Sequence, residues 1–215
     1  AVVYVDDTLL VVDKPSGLLA VPGRGADKQD CLSARVQARY PDALIVHRLD
    51  MATSGLMVMA RGPAAQRALS MAFAAREVTK RYVALVAGRL EASAQGRGMP
   101  EDWGSIDLPL IVDWPNRPRR IVDHHLGKPS LTRWRVLGHD EAGLNTRVEL
   151  EPVTGRSHQL RVHLRELGHP ILGDALYAPP DVQAWSGRLL LHAQSLRLAH
   201  PQTGAALAFE SAAPF

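Results

Sequence analysis

Two short apolar stretches, residues 44–46 (LIV) and 56–59 (LMVM), enclose nine residues, HRLDMATSG, running from His47 to Gly55. Short apolar runs rich in branched side chains read as buried strands, so the nine residues between them read as the polar turn that joins two strands. At the end of the first strand stand His47, Arg48 and Asp50, and Thr53, Ser54 and Gly55 close the turn. A carboxylate beside a guanidinium at a strand end is a candidate active site. The plainer alternative is an Arg–Asp ion pair that closes a turn, since structural ion pairs are common.

A chain of 215 residues that is 46% hydrophobic is long enough to bury a proper core, as one domain or as one domain with two lobes. It has no run of 18 apolar residues for a membrane span, and no charged–apolar–small leader at its start. The single cysteine, Cys31, excludes an internal disulfide framework and any zinc site built from several cysteines, and it fits a reducing cytoplasm. The formal charge is +3 and the isoelectric point about 9.3. The basic residues are mostly arginine, which suits an anionic partner such as RNA, although mild basicity alone decides little.

Residues 2–5 and 9–13 flank Asp6-Asp7-Thr8 as a β-hairpin, and Lys14-Pro15-Ser16-Gly17 then breaks the strand. Asp30 is placed to cap a helix that runs to about Tyr40 and is stopped by Pro41, with Leu32 and Val36 facing the core. Pro63 suits the first position of a second helix, with Ala65, Leu69 and Ala72 or Phe73 as its apolar stripe. Residues 78–87 read as a long strand with Lys80, Tyr82 and Ala84 on one face. Residues 88–105 are polar and aperiodic, a surface excursion. Strand-like sequence resumes over residues 106–112. It is followed by DWPNRPRRIV (113–122), in which Arg117, Arg119 and Arg120 lie close to Trp114, a combination able to hold phosphates and stack on exposed bases. Residues 131–137 and 146–151 form a second hairpin. Leu160, Leu164 and Leu167 mark a helix ended by Gly168, and strands follow near 189–191, 196–198 and 206–209.

Few chemistries are left by elimination. His158 and His163 are five apart and His124 and His125 are adjacent, so no histidine spacing serves a tetrahedral metal centre. There is no GxSxG elbow, Ser54 has no base partner recognisable in the sequence, and no P-loop or dinucleotide fingerprint occurs. What remains is one aspartate with arginines and a tyrosine that could converge on it.

His47-Arg48-Leu49-Asp50 followed by Thr53-Ser54-Gly55 resembles the catalytic signature of the RluA family of RNA pseudouridine synthases. KPSGLLAVPG (14–23), KRYVA (80–84) and TGRSHQLRVHLRELGHPILGD (154–174) resemble further family blocks in family order, so the resemblance runs from Lys14 to Gly204. It implies an α+β fold, the pseudouridine synthase fold, with a mixed, mostly antiparallel sheet, a central cleft and flanking helices. It also implies one catalytic domain over residues 1–215, without an RNA-binding domain of the S4 type, and isomerase activity on RNA uridines with neither metal nor cofactor. By resemblance Asp50 is the catalytic carboxylate and Arg161 its ion-pair partner. Tyr82 packs on the uracil and assists proton removal at C5. Arg48, placed on the Asp50 face by the period of two, fills the gap left by the flipped base. Whether the aspartate adds to C6, attacks C1′ or takes a ribose proton stays open. Within the family, the 113–122 stretch resembles members that modify both a tRNA anticodon stem-loop and a large-subunit rRNA hairpin, where a base is already partly unpaired. Arg117, Arg119 and Arg120 would then bind RNA, with the protein a cytoplasmic monomer. Two other readings remain at this stage, a non-catalytic RNA-binding module and a hydrolase with Asp50 as nucleophile.

Overall fold

The computed structural model describes residues 1–91 and 102–215. In chain order its strands and helices are β1 (Val2–Val5), β2 (Leu9–Lys14), α1 (Leu32–Gln37), β3 (Ala43–Ile45), β4 (Ser54–Arg61), α2 (Pro63–Ala75), β5 (Thr79–Ala87), β6 (Gly104–Asp107), β7 (Leu110–Val112), β8 (Arg120–Val122), β9 (Leu131–His139), β10 (Asn145–Pro152), α3 (Gln159–Glu166), α4 (Pro180–Ala184), β11 (Leu191–Ala199) and β12 (Ala206–Glu210). They group into two compact units, Ala1–Lys80 with His192–Phe215, and Arg81–Leu191.

The first unit is built on β4. Antiparallel β2 lies along one edge, from Leu9↔Ala60 to Lys14↔Gly55. The opposite edge is shared. Antiparallel β3 covers its far end, from Ala43↔Arg61 to Ile45↔Met59, and parallel β11 covers its start through His192↔Ser54 and Ala193↔Gly55. β1 extends the sheet beyond β2, and β12 pairs with β11. Leu9, Val11, Leu56 and Val58 pack with Ala65 and Leu69 of α2 and with Leu196 of β11. Helix α2 starts at Pro63 and buries Ala65 and Leu69, as the spacing predicts. Helix α1 does bury Leu32 and Val36, but it is shorter than expected. Its N-terminal position is Cys31, with no side-chain cap, because the Asp30 carboxylate is drawn instead into a two-pronged ion pair with Arg35.

In the second unit β5, β10, β9 and β6 pair in that order, all antiparallel. β7 and β8 form a separate two-stranded ribbon, so residues 106–112 hold the end of β6 and the whole of β7, not one strand. The buried Val162 of α3 packs with Leu110 and Tyr177. Of the excursion expected over residues 88–105, residues 92–101 lie outside the described residues, while Gly104 and Ser105 already belong to β6. Helix α4 has no counterpart in the sequence reading. Among the described residues no helix is long and apolar enough to cross a membrane.

Candidate functional site

Asp50 sits where the edge of β4 changes partner. After Ile45 the chain leaves the sheet as residues 46–53, and it re-enters as β4 just where β11 has replaced β3 on that edge. Arg48 and Asp50 are therefore not on a strand, and the period of two does not place them on one face. This corrects the expected geometry. Arg48 is exposed, Leu49 is buried as an anchor, and Asp50 is partly buried with its carbonyl accepting the Thr53 amide at 3.1 Å.

A segment outside the ladder needs other partners for its backbone carbonyls. The KPSG motif supplies them. The Lys14 ammonium, fully buried, donates to the carbonyls of Met51 (3.0 Å), Leu18 (2.7 Å) and Pro15 (2.9 Å). The Gly17 amide adds a second bond to the Met51 carbonyl at 2.9 Å, and Ser16 Oγ donates to the Ala52 carbonyl at 2.7 Å. The two carbonyls that follow Asp50 are thus both held by residues 14–17. On the far side of the turn Gly55 has φ +114°, and a Cβ there would lie 2.4 Å from the Ala193 carbonyl oxygen. Only glycine lets β11 pass so close.

His47 stabilises the same segment without carrying charge. Its ring stacks on Phe73 with centroids 4.5 Å apart, and its Nε2 accepts the Val58 amide at 3.0 Å. Burial, with a smaller contribution from the Lys80 charge, pushes its pKa down to about 3, so it is a neutral acceptor at physiological pH.

Ser54 does have a base partner, contrary to the sequence reading. Its Oγ lies 2.9 Å from Nδ1 of His192. Nε2 of His192 must carry the proton, because it faces the Ser211 carbonyl at 3.1 Å, so Nδ1 accepts from the serine hydroxyl. Ser211 Oγ in turn donates to Asp13 at 2.6 Å. Ser54 and His192 are almost wholly buried, so this relay tethers the start of β4 to β11 and the tail, with no access for an acyl substrate.

The second unit contains Tyr82 and Arg161. Tyr82, partly buried on β5, pairs with Leu150 of β10. Arg161 is 4% exposed on α3 and holds Asp174 with a two-pronged ion pair, Nε to Oδ2 at 2.8 Å and Nη2 to Oδ1 at 2.6 Å. Asp174 closes the block of residues 154–174, but nothing in the spacing singles it out. Its Oδ1 also accepts the amides of Leu176 (2.9 Å) and Tyr177 (3.2 Å). Sequence reasoning missed Tyr177 altogether. The Arg161 guanidinium lies over its ring at 5.0 Å, its hydroxyl is 2.6 Å from Nδ1 of His158, and it accepts the Arg120 amide at 2.8 Å. The helix start is fixed by Gln159, whose Oε1 accepts from Thr154 Oγ1 and the Arg156 amide and whose Nε2 donates to the Leu131 carbonyl. The block TGRSHQLR thus aims one arginine. The other three candidate arginines share the turn between β7 and β8, with Arg117 and Arg119 exposed and Arg120 at the start of β8. Among the described residues no group of three His, Cys, Asp or Glu side chains is disposed to hold a metal.

A clamped turn presenting one aspartate, with the HRLD and TGRSHQLR blocks each built into a defined structure, matches a known class. The chain belongs to the RNA pseudouridylate synthase family, which matches residues 8–166, and it is an isomerase that converts uridine in RNA to pseudouridine. It is 50% identical over 214 residues to the dual-specificity RNA pseudouridine synthase RluA of Yersinia pestis, covering 100% of this chain and 99% of that one. To the protein of the same name from Escherichia coli K12 it is 49% identical, covering 100% and 93%. In fold it is similar to human RNA pseudouridylate synthase domain containing 1, with TM-score 0.79, 31% identity, and 100% and 84% of the two chains covered.

Proposed function

We propose that this chain isomerises uridines in two RNA contexts, a tRNA anticodon stem-loop and a hairpin of large-subunit rRNA, with Asp50 as its catalytic carboxylate. The observation that carries the catalytic assignment is the clamp on the Asp50 turn. A fully buried lysine, a serine hydroxyl and a glycine amide fix the backbone immediately after one aspartate, the rigidity a reacting carboxylate needs. The near-50% identity over the full length to two dual-specificity relatives supports the pair of substrates.

In this reading Arg161 is the ion-pair partner that keeps Asp50 ionised. Its buried position and its fork with Asp174 support a fixed guanidinium. Tyr82 stacks on the uracil, Arg48 occupies the space vacated by the flipped base, and Arg117, Arg119 and Arg120 hold phosphates. The N1–C1′ bond breaks, a C5–C1′ bond forms, N1 gains a proton and the C5 hydrogen passes to water. The hydrogen lost at C5 is matched by the proton gained at N1, so the composition of the RNA is unchanged, no electrons are exchanged, and no oxidant, reductant or energy source enters the balance. We place the chain in the cytoplasm as a monomer, with the two units serving as one catalytic domain; the free, buried Cys31 is compatible with a reducing compartment.

The test is tritium release from C5-labelled uridine in an anticodon stem-loop and a ribosomal hairpin, side by side. Release from both, abolished in Asp50→Asn, is expected. Release from only one overturns the dual specificity, and undiminished release by Asp50→Asn overturns the catalytic assignment.

A further inference from the structure

We propose that Trp114 is a stacking subsite for an unpaired base of the substrate loop, other than the uridine being isomerised. The inference rests on the reading that the turn between β7 and β8 meets RNA. Trp114 is 65% exposed, an unusual position for the largest apolar side chain unless it meets a partner. It is also held in place. The Arg117 guanidinium lies over the indole, 4.6 Å from the ring centroid, and Arg117 Nε donates to the Trp114 carbonyl at 3.1 Å. Around them the turn is stitched by bonds from the Asp113 amide to the Arg119 carbonyl (3.0 Å), from the Arg119 amide to the Asn116 carbonyl (3.1 Å), and from Asn116 Nδ2 to the Asp113 carboxylate (3.0 Å). Its return strand is fixed by the bond from the Arg120 amide to Tyr177.

Arg117 therefore covers one face of the indole and leaves the other open. A base laid on that face completes a stack of guanidinium, indole and base, with Arg117 and Arg119 close by for the flanking phosphates. Every base has a π-face, so such a platform accepts an unpaired base without reading its edge. A paired base is already stacked on both sides and gains nothing there. The subsite thus favours looped over duplex RNA and tolerates different loop sequences, which is what two unlike RNA targets require.

The discriminating property is salt dependence. Phosphate contacts set the slope of log affinity against log salt, whereas a stacked base shifts affinity and leaves the slope alone. Binding of an anticodon stem-loop RNA would be measured over a salt series in the Asp50→Asn background. Trp114→Ala is expected to weaken binding about tenfold at every salt concentration, with an unchanged slope, and Trp114→Phe to retain most of the affinity. Replacing loop positions one at a time with an abasic nucleotide should reveal one position at which Trp114→Ala has no further effect. In Trp185→Phe, where Trp114 is the remaining exposed tryptophan, fluorescence should be quenched on RNA binding. Unchanged affinity in Trp114→Ala, or no abasic position that cancels its effect, overturns the subsite. Replacing Arg117, Arg119 and Arg120 together with alanine tests the underlying reading separately. An unchanged salt slope in that variant removes the whole turn from the RNA surface, while a reduced slope with a silent Trp114→Ala refutes only the stacking.

Discussion

Asp174→Asn should damage both the fold and the reaction, and the two effects are separable. The substitution keeps the side-chain shape, so it opens no cavity. Yet Oδ1 accepts from Arg161 Nη2 and from the Leu176 and Tyr177 amides, and Oδ2 accepts from Arg161 Nε. Both oxygens are thus committed to N–H donors, and an asparagine NH2 in either orientation would meet one of them head-on. Arg161 and Asp174 side chains are only 5% and 1% exposed, so water cannot compensate. Breaking such a pair from one side costs on the order of 3–5 kcal/mol, a large share of the roughly 5–15 kcal/mol that holds a domain together. At about 2–4 °C per kcal/mol for a chain of this size, the melting midpoint should fall by roughly 6–20 °C. Below that midpoint, if Arg161 supports Asp50 as proposed, single-turnover tritium release should slow by about 100-fold with RNA affinity little changed, because a shift of about an ångström in the guanidinium is enough to lose that support. The double variant Arg161→Met/Asp174→Asn removes both charges, keeps an oxygen for the Leu176 and Tyr177 amides, and should recover most of the stability while staying inactive. A melting midpoint within about 2 °C of the parent for Asp174→Asn, or full turnover by the double variant, would refute the reasoning.

Two further outcomes follow from the first unit. Lys14→Met strips a donor from three carbonyls at once and leaves that of Leu18 buried; it should cost about 3–5 kcal/mol in chemical denaturation, with turnover falling more steeply than RNA affinity; loss of stability without loss of turnover would detach the clamp from catalysis. Acidification should weaken the fold through His47: its folded pKa of about 3 lies below the ordinary 6.5 of the unfolded chain, so only the unfolded state takes up the proton as pH falls below about 6.5, a loss on the order of 2 kcal/mol by pH 5 that grows toward pH 3. The Asp6 carboxylate acts lower: burial alone would raise it, but bonds from Tyr4, the Leu9 and Thr8 amides and His200 bring it to about 2, so its contribution is lost only as pH falls from about 3.8 through 2. His47→Gln, which keeps an acceptor for Val58, should flatten stability between pH 7 and 5; an unchanged pH profile there would show that His47 is not the titrating group.

Regular elements were legible because their signals are local. The hairpin turn at Asp6, Pro63 at the start of α2, the leucines of α3 and the strand pair around residues 44–59 each follow from periodicity or a turn residue within a few positions. The errors fall where a partner outside the expected pattern outbids the expected one. Asp30 has the sequence context of a cap, but Arg35 takes its carboxylate. Residues 47–50 look like a strand end, but β11, about 140 residues later, claims the edge of β4. Ser54 finds its histidine across a similar distance. Tyr177 carried no periodic or motif signal at all. The one available hint was Asp174 three residues earlier, placed to accept the Leu176 and Tyr177 amides in a local turn.

These misses and the site have a common origin in backbone accounting. A reacting aspartate, as Asp50 is proposed to be, cannot be freely aimed from the middle of a β-ladder, where the pleat fixes the side-chain direction. It needs a gap, and in this fold the gap is the place where β3 ends and β11 begins along one edge of β4. A gap leaves carbonyls without ladder partners, and each would cost on the order of 1–3 kcal/mol if buried unmet. Apolar packing cannot supply donors, so polar groups take that role: Lys14 donates to the Met51 carbonyl and Ser16 to that of Ala52. The motifs quoted from the sequence are in this sense two kinds of residue interleaved. Asp50 is the one proposed to do chemistry, while Lys14, Ser16 and Gly55 make an interrupted strand edge stable enough to hold it.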